Sequence, residues 1–503
     1  MDTQDAIKRV VIVGGGTAGW MSAAVLARTL GRQLSITVVE SDQIGTVGVG
    51  EATIPQIRLL NGLLGLDEHQ FLAATQGSIK LGIEFDGWSQ PGDKYLHAFG
   101  GFGQPLGMLR FYQYWLRAHH AGNAESLWDY SFNAVAASRN RYAHVDHIDG
   151  THIEGLVRAY HFDASLFAKH LRALSERNGV TRVEGIVGEV KLEDDGRVAR
   201  LELKDGAAVE GDFFIDCSGF RGLLIGDALG VGYEDWTEWL PCDRAVAVPC
   251  ESVDPLIPYT RASARPAGWQ WRIPLQHRIG NGHVFCSEFM SEDEATAVLL
   301  QNLDGAPTAE PRTLRFTTGR REKFWHKNCV SLGLAAGFME PLESTSIHLV
   351  QSGLSRLISL FPNRGLRQAE IDSFNRQTDF EYERIRDFLI LHYFANGRSE
   401  PFWAARRQMR VPDSLTERID LFRANGRIVR DGDELFTEVG WLQVMLGQGI
   451  QPAGYDPLAG NLSEADLTRF LNSVREAIQR GTDPLPLHSE FIQSNCAAQP
   501  PIS

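Results

Sequence analysis

Three stretches of the chain carry residue types that could do chemistry. RVVIVGGGTAGWMSAAVLARTLG places Gly14, Gly16 and Gly19 at GxGxxG spacing, between an apolar run and a helical one. The first glycine permits a tight turn, the second lets a pyrophosphate approach the backbone, and the third lets helix and strand pack closely. Thr17 and Ala18 open the helix, whose positive N-terminus would face the diphosphate. LSITVVE then ends at Glu40, where a carboxylate can accept from a ribose hydroxyl. Together these features predict dinucleotide binding. GSIKLGIEFDGW, residues 77–88, is harder to read: Ile79, Leu81, Ile83 and Phe85 alternate with Ser78, Lys80, Gly82, Glu84 and Asp86. That is the period of a half-buried strand, and it puts Lys80 on a polar face beside two acids, the usual place of a solvated lysine. HVDHIDGTH offers His144, Asp146, His147, Asp149 and His152 as possible metal ligands. Turn chemistry at Asp149-Gly150 favours a hairpin with solvated histidines, so no metal is expected there.

The elements around these residues narrow the cofactor. GEVKLEDDGRVARLELKDGAAVEGDFFIDCSG contains three strand-like runs broken at Asp195-Gly196 and Asp205-Gly206, both good hairpin turns. A meander that returns to a Rossmann strand at 213–219 is the layout of FAD-dependent monooxygenase-type folds, which favours FAD over NAD. NCVSLGLAAGFMEP, residues 328–341, reads as a strand, then small residues passing the cofactor (Leu334 and Gly337 among its positions), then a helix start. No second strand-linked GxGxxG occurs, so a bound flavin would be reduced elsewhere. Asp163 caps a helix that stops at Asn178-Gly179, residues 369–395 form a long helix, and Ser463 with Asp466 opens another. The predicted fold is α/β and FAD-dependent monooxygenase-like: a Rossmann-type FAD-binding module, an antiparallel substrate sheet and C-terminal helices. Residues 1–120 and 150–400 would form the discontinuous FAD module with its interleaved sheet, and 400–503 a mainly helical region.

The totals agree with such an enzyme. At 503 residues the chain exceeds what one core usually supports, and 43 % hydrophobic residues is ordinary for a globular protein. A net charge of −14 argues against nucleic acid as partner, since phosphate binding needs clustered Lys and Arg. No apolar window of about 18 residues suggests a membrane span, and the N-terminus runs straight into a strand without a secretory pattern. Cys217, Cys242, Cys250, Cys286, Cys329 and Cys496 form no CxxC pair, and scattered thiols suit a reducing cytoplasm.

Further stretches carry a family signal. They are SDQIGTVGVGEATIP at 41–55, with Gly50 and Ala52; GWQWRIP, where Trp269, Trp271, Ile273 and Pro274 make WxWxIP; and MEPLESTSIHLV at 339–350. With Lys80 and the YHFDA at 160–164, the chain resembles the flavin-dependent tryptophan halogenases over residues 8–405, more loosely beyond. WxWxIP combined with GxGxxG is specific to that family. The resemblance implies that FADH2 from a separate flavin reductase, with O2 and chloride or bromide, yields hypohalous acid at the flavin. A tunnel leads that oxidant to the family's lysine, which matches Lys80. There it is held by hydrogen bonding or as an N-haloamine and delivered to an electron-rich ring. The family's glutamate matches Glu343, with Ser344 beside it.

Elementary chemistry supports these roles. An ammonium can polarise hypohalous acid and fix its position, and a carboxylate is worth most where a cationic ring intermediate develops. Glu343 could later take the ring proton. By the same resemblance the halide lies against the amides of Thr345 and Ser346, a serine where the family commonly has glycine. Gly50, Ala52, Leu334 and Gly337 would line the flavin, and the motif tryptophans lie near it. His97 and Phe99 match a pair that sandwiches the arene, with Trp441 a loose candidate partner. The tyrosine pair and acid that grip free tryptophan are not evident, which points to indole, a substituted indole or a larger indole-bearing molecule. Two other readings are an aromatic hydroxylase with an incidental lysine, and a flavin-binding protein without turnover.

Overall fold

The computed structural model describes residues 6–44 and 50–498; residues 45–49 of the stretch SDQIGTVGVGEATIP lie outside the described residues. The β-branched run at the N-terminus forms Arg9–Val13, buried beyond its first residue, as suits a strand covered on both faces. It lies inside a six-stranded sheet ordered Trp325–His326, Cys329–Ser331, Phe213–Asp216, Arg9–Val13, Ser35–Glu40, Thr181–Glu184. All neighbours there are parallel except the Trp325–His326 edge. The expected meander is present as Val187–Leu192, Val198–Leu203 and Ala208–Glu210, all antiparallel. Its turns hold Gly196 and Gly206 at φ +77 and +89, where only glycine is unstrained.

A second, seven-stranded sheet runs Arg312–Arg315, Arg244–Glu251, Arg278–Phe285, Gly268–Pro274, Thr260–Arg265, Gly82–Asp86, Lys94–Ala98. WxWxIP occupies its middle strand, and every residue of that strand is buried. A short antiparallel sheet is formed by Gly50–Ala52, Ala159–Asp163 and Ser78–Lys80.

That small sheet corrects the reading of residues 77–88. The alternation there is not one strand but two, Ser78–Lys80 and Gly82–Asp86, in different sheets. The chain crosses at Leu81, whose N–H donates to the Pro258 carbonyl. Gly82 makes the crossing possible, because a Cβ there would lie 2.6 Å from the His97 carbonyl oxygen. Lys80 therefore does not share a solvent face with Glu84 and Asp86. Those acids face Arg261 and Lys94 instead.

The helix start expected near residue 341 also moves. Pro341 holds Glu340 extended, a 3-10 turn spans Pro341–Glu343, and the helix begins only at Ser346–Ser359. The other expected helices form as Ala164–Arg177, Gln368–Phe394 and Glu464–Thr482. Asp163 caps the first, its Oδ1 accepting from the N–H groups of Ser165 and Leu166. Beyond residue 400 the named elements are helical, and their apolar faces join the same core that includes Ile7 and Trp20. In the 144–152 segment His147 and His152 are exposed, and His144 lies 3.4 Å from the Glu68 carboxylate. Among the described residues no helix is long and apolar enough to cross a membrane, and the six cysteines are unbridged.

Candidate active site

The glycine turn has the shape a diphosphate requires. Gly14 sits at φ +115, and a Cβ there would be 2.2 Å from the Cys217 carbonyl oxygen. A Cβ on Gly19 would be 1.8 Å from the Gly14 carbonyl, so helix and turn touch backbone to backbone. At Gly16 a Cβ would meet nothing within 4 Å. Gly16 is also the N-cap of Thr17–Leu30 and brings no side chain to the first-turn N–H groups around Thr17 and Ala18, which stay available to an anion. Glu40 closes the turn so tightly that a Cβ on Gly15 would overlap its carboxylate. Arg182 and the Trp20 indole N–H hold that carboxylate in place. These residues fit FAD.

A Cβ on Gly333 would meet Ala18 at 2.8 Å, which packs the turn carrying Leu334 onto the helix start. Gly50 lies against Ile273, where a Cβ would be 3.2 Å from Cγ2, and Ala52 pairs with His161. Gly337 is required by packing: its Cβ would meet the Gly319 carbonyl at 2.7 Å and the Tyr382 ring at 3.0 Å. Only its backbone could serve a cofactor. The N–H groups of Thr345 and Ser346 donate to no backbone carbonyl among the described residues, as expected at a helix start.

Lys80 is fully buried, and its Nζ donates to Ser344 Oγ at 2.8 Å. The strand beneath it is tied down on both sides. Ser78 Oγ donates to the Pro274 carbonyl, and the Ile79 N–H donates to His488 Nε2 at 3.1 Å. Burial pulls the Lys80 pKa down to about 7, with the charge of Glu343 opposing the fall. Near neutral pH, amine and ammonium are therefore both populated. Ser344 has φ +59, an uncommon conformation outside glycine, and this places its hydroxyl at the amine. Phe99 lies alongside, with Nζ 5.4 Å from its ring centroid.

Glu343 is 1 % exposed, and burial alone would raise its pKa. Two imidazoles override that effect and hold it at about 2. His97 Nδ1 lies 2.9 and 3.0 Å from the two carboxylate oxygens, and His392 Nε2 lies 2.9 Å from Oε1, off the ring N–H axis. Three residues earlier, Glu340 is equally buried but has the opposite character. It accepts from Trp269 Nε1 at 2.8 Å and from the Tyr393 hydroxyl, and burial pushes it up to about 7. Consecutive residues of one helix, His392 and Tyr393, thus serve the two acids of EPLE.

The arene-binding expectations divide. Phe99 faces the Lys80 amine, but His97 turns Nδ1 to Glu343, with the rings of Phe388 and Phe436 5.7 and 6.3 Å away. Trp441 is corrected: it is 1 % exposed, set edge-on behind Phe388 at 4.7 Å, with the Arg418 guanidinium 4.2 Å over its ring. An apolar helix, Glu438–Gly447, buries it for packing, and a Cβ on Gly440 of that helix would lie 3.1 Å from His97 Nε2. His392, Glu340, Phe388 and Phe436 were missed as site residues. For His392 the available signal was an imidazole inside the apolar run LILHYF, which forces it to find a buried partner.

Comparison with known proteins agrees with this geometry. The family model described as tryptophan halogenase matches residues 9–464. Tryptophan 6-halogenase SttH of Streptomyces toxytricini is 33 % identical over 98 % of this chain and 99 % of its own. Xcc4156, a flavin-dependent halogenase from Xanthomonas campestris, superposes with a TM-score of 0.95 at 48 % identity, covering 99 % of this chain and 100 % of that one. BrvH, a flavin-dependent halogenase from Brevundimonas sp. BAL3, superposes at 0.94 and 46 %, covering 97 and 99 %. A dinucleotide turn, a buried lysine with a buried carboxylate, and likeness along nearly the whole chain give one conclusion: the protein belongs to the tryptophan halogenase family and is a flavin-dependent halogenase.

Proposed function

We propose that the enzyme halogenates an indole-like arene, with Lys80 holding the oxidised halogen and Glu343 stabilising the cationic ring and taking its proton. The observation that carries this is the buried Lys80 amine hydrogen-bonded to Ser344, next in sequence to an ionised, equally buried carboxylate. A charged pair out of water is costly unless close geometry and further hydrogen bonds offset its desolvation. Reduced FAD with O2 would supply the oxidant that turns chloride or bromide into hypohalous acid, HO–X. The halide is held at the Thr345 and Ser346 amides. At Lys80 the neutral amine and HO–X give the N-haloamine and water; X then passes from that nitrogen to the arene carbon, and the C–H proton goes to Glu343 and from there to the nitrogen, which restores the amine. Glu343 acts where charge develops, which is where a carboxylate lowers a barrier. Phe99 and His97 orient the ring.

SttH is named for tryptophan, while Xcc4156 and BrvH are named only as flavin-dependent halogenases. With no evident tyrosine pair and acid for an amino-acid group, the substrate is indole, a substituted indole or a larger indole-bearing molecule. FADH2 reaches the enzyme by diffusion from a separate reductase. The test is incubation with FAD, a flavin reductase, NADH, bromide or chloride and a set of indoles, followed by mass spectrometry. The expected product carries one halogen, with its isotope pattern, and forms only when halide is present. A hydroxylated product formed regardless of halide contradicts the proposal.

A further inference from the structure

The strand Lys94–Ala98 is an edge of the seven-stranded sheet, so the outward N–H and C=O groups of its peptides have no neighbouring strand to pair with. It also leads into the arene side of the site. His97 and Phe99, two residues apart, point to one face, with His97 Nδ1 at the Glu343 carboxylate and Phe99 beside the Lys80 amine. The outward Leu96 carbonyl accepts from Trp128 Nε1 at 2.6 Å. Ala98, between His97 and Phe99, is served by a single side chain. Its N–H donates to Gln443 Oε1 at 2.9 Å, and its C=O accepts from Gln443 Nε2 at 3.0 Å. Both backbone groups have fixed polarity, so the amide fits in one orientation only. Gln443 is 1 % exposed and Ala98 3 %, so little solvent reaches this pairing.

Gln443 belongs to Glu438–Gly447, and that helix is shaped to reach the strand. Gly440, Gln443 and Gly447 share one of its faces. A Cβ on Gly447 would lie 2.4 Å from the Tyr95 ring, and one on Gly440 would crowd His97. Neither glycine has a positive φ, so close packing and not backbone conformation requires them. Gln448, just past the helix, accepts from the Tyr95 hydroxyl at 3.2 Å and donates to the His392 and Ala395 carbonyls.

We infer that Gln443 is a positioning residue for halogenation: its amide completes the sheet edge at Ala98 and so sets where His97 and Phe99 meet the arene. The inference rests on the reading of those two residues as the ones that orient the ring. A shift of the backbone at Ala98 moves both side chains together, because they leave the chain on either side of that residue. Such a shift leaves the flavin chemistry untouched, so its cost falls on arene binding.

Gln443→Met keeps the side chain's approximate volume and removes both hydrogen bonds. KM for indole is expected to rise about tenfold with kcat within about threefold, the pattern of lost binding shared by ground and transition states. FADH2 consumption is expected to match wild type. Gln113→Met controls for simple destabilisation, since Gln113 is also buried and also bridges two backbone groups, the Gly426 carbonyl and the Asp456 N–H. That variant should lose a comparable amount of Tm yet keep KM within about twofold of wild type. Gln443→Glu tests rescue. A protonated carboxyl donates and accepts as the amide does, whereas the ionised form has no donor for the Ala98 carbonyl. Its KM, divided by that of wild type at the same pH, should therefore fall towards one as pH is lowered. A Gln443→Met KM within about twofold of wild type overturns the inference, as does an equal rise in Gln113→Met. Should Gln443→Met not fold, a Gln443→Glu ratio that does not change with pH overturns it. Phe99→Ala separates the inference from the reading beneath it. A raised KM there beside an unchanged Gln443→Met defeats the inference alone, whereas a wild-type KM in Phe99→Ala defeats the role given to Phe99.

Discussion

Taking the Lys80 amine out of water costs several kcal/mol unless its charge is compensated, which is why its pKa falls to about 7 while Glu343 stays ionised. Capture of halogen by the amine needs its lone pair. The halogenation rate should therefore fall about tenfold per unit as pH drops below 7, measured with saturating FADH2 and halide; a rate that climbs as pH falls contradicts amine capture. Glu340 gives a stability prediction of the opposite kind. Its pKa rises on folding from 4.5 to about 7, so the folded state holds a proton that the unfolded state has released, and stability is lost as pH rises through that window. Glu340→Gln mimics the protonated form. It should match wild type below about pH 4.5 and be more stable, by a Tm scan, above about pH 7. At this scale the sequence was partly legible. Gly14, Gly16, Gly19 and Glu40 were readable because their roles depend on neighbours within one strand–turn–helix. The partner of Lys80 was not, because Ser344 is 264 residues away and only a fold brings the two together.

At the scale of elements, the strand carrying Lys80 is short and is held by a helix from the far end of the chain. His488 opens His488–Asn495, donates from Nδ1 to the Leu256 carbonyl and accepts the Ile79 N–H at Nε2. His488→Ala should orphan that buried N–H at a cost of about 1–3 kcal/mol, and should lower kcat more than KM by loosening Lys80. Denaturant unfolding and steady-state kinetics on one preparation check both, and wild-type values for each would show that the clamp is dispensable. The break at Leu81 explains why alternation misled here. A two-residue period records which faces are covered, not which sheet covers them, and Ile79 and Ile83 are both buried in different sheets. Trp441 misled for a related reason. Its surroundings in sequence, EVGWLQVMLG, form a helix apolar on every side, so the indole is consumed by packing against Phe388 and Arg418.

Across the whole molecule, the two ends of the chemistry sit on different sheets: the diphosphate turn on the mostly parallel six-stranded sheet, and Lys80 on the small three-stranded one. Such separation suits a cofactor that makes an oxidant and a lysine that uses it elsewhere. The fold class was legible because hairpin glycines and the return strand at 213–216 lie in sequence order, whereas the sharing of one core by the C-terminal helices was not, since apolar helix faces do not name what they cover. If FADH2 arrives by diffusion, two unrelated flavin reductases set to the same FADH2 flux should support equal halogenation rates; a marked preference for one would indicate a docked partner. The account stands or falls on the lysine. Lys80→Ala, supplied with reductase, FAD, bromide and indole, is expected to consume FADH2 at the wild-type rate while bromoindole falls by at least about 100-fold, the scale that positioning of a reactant commands. Bromoindole formed by that variant at the wild-type rate would contradict the account.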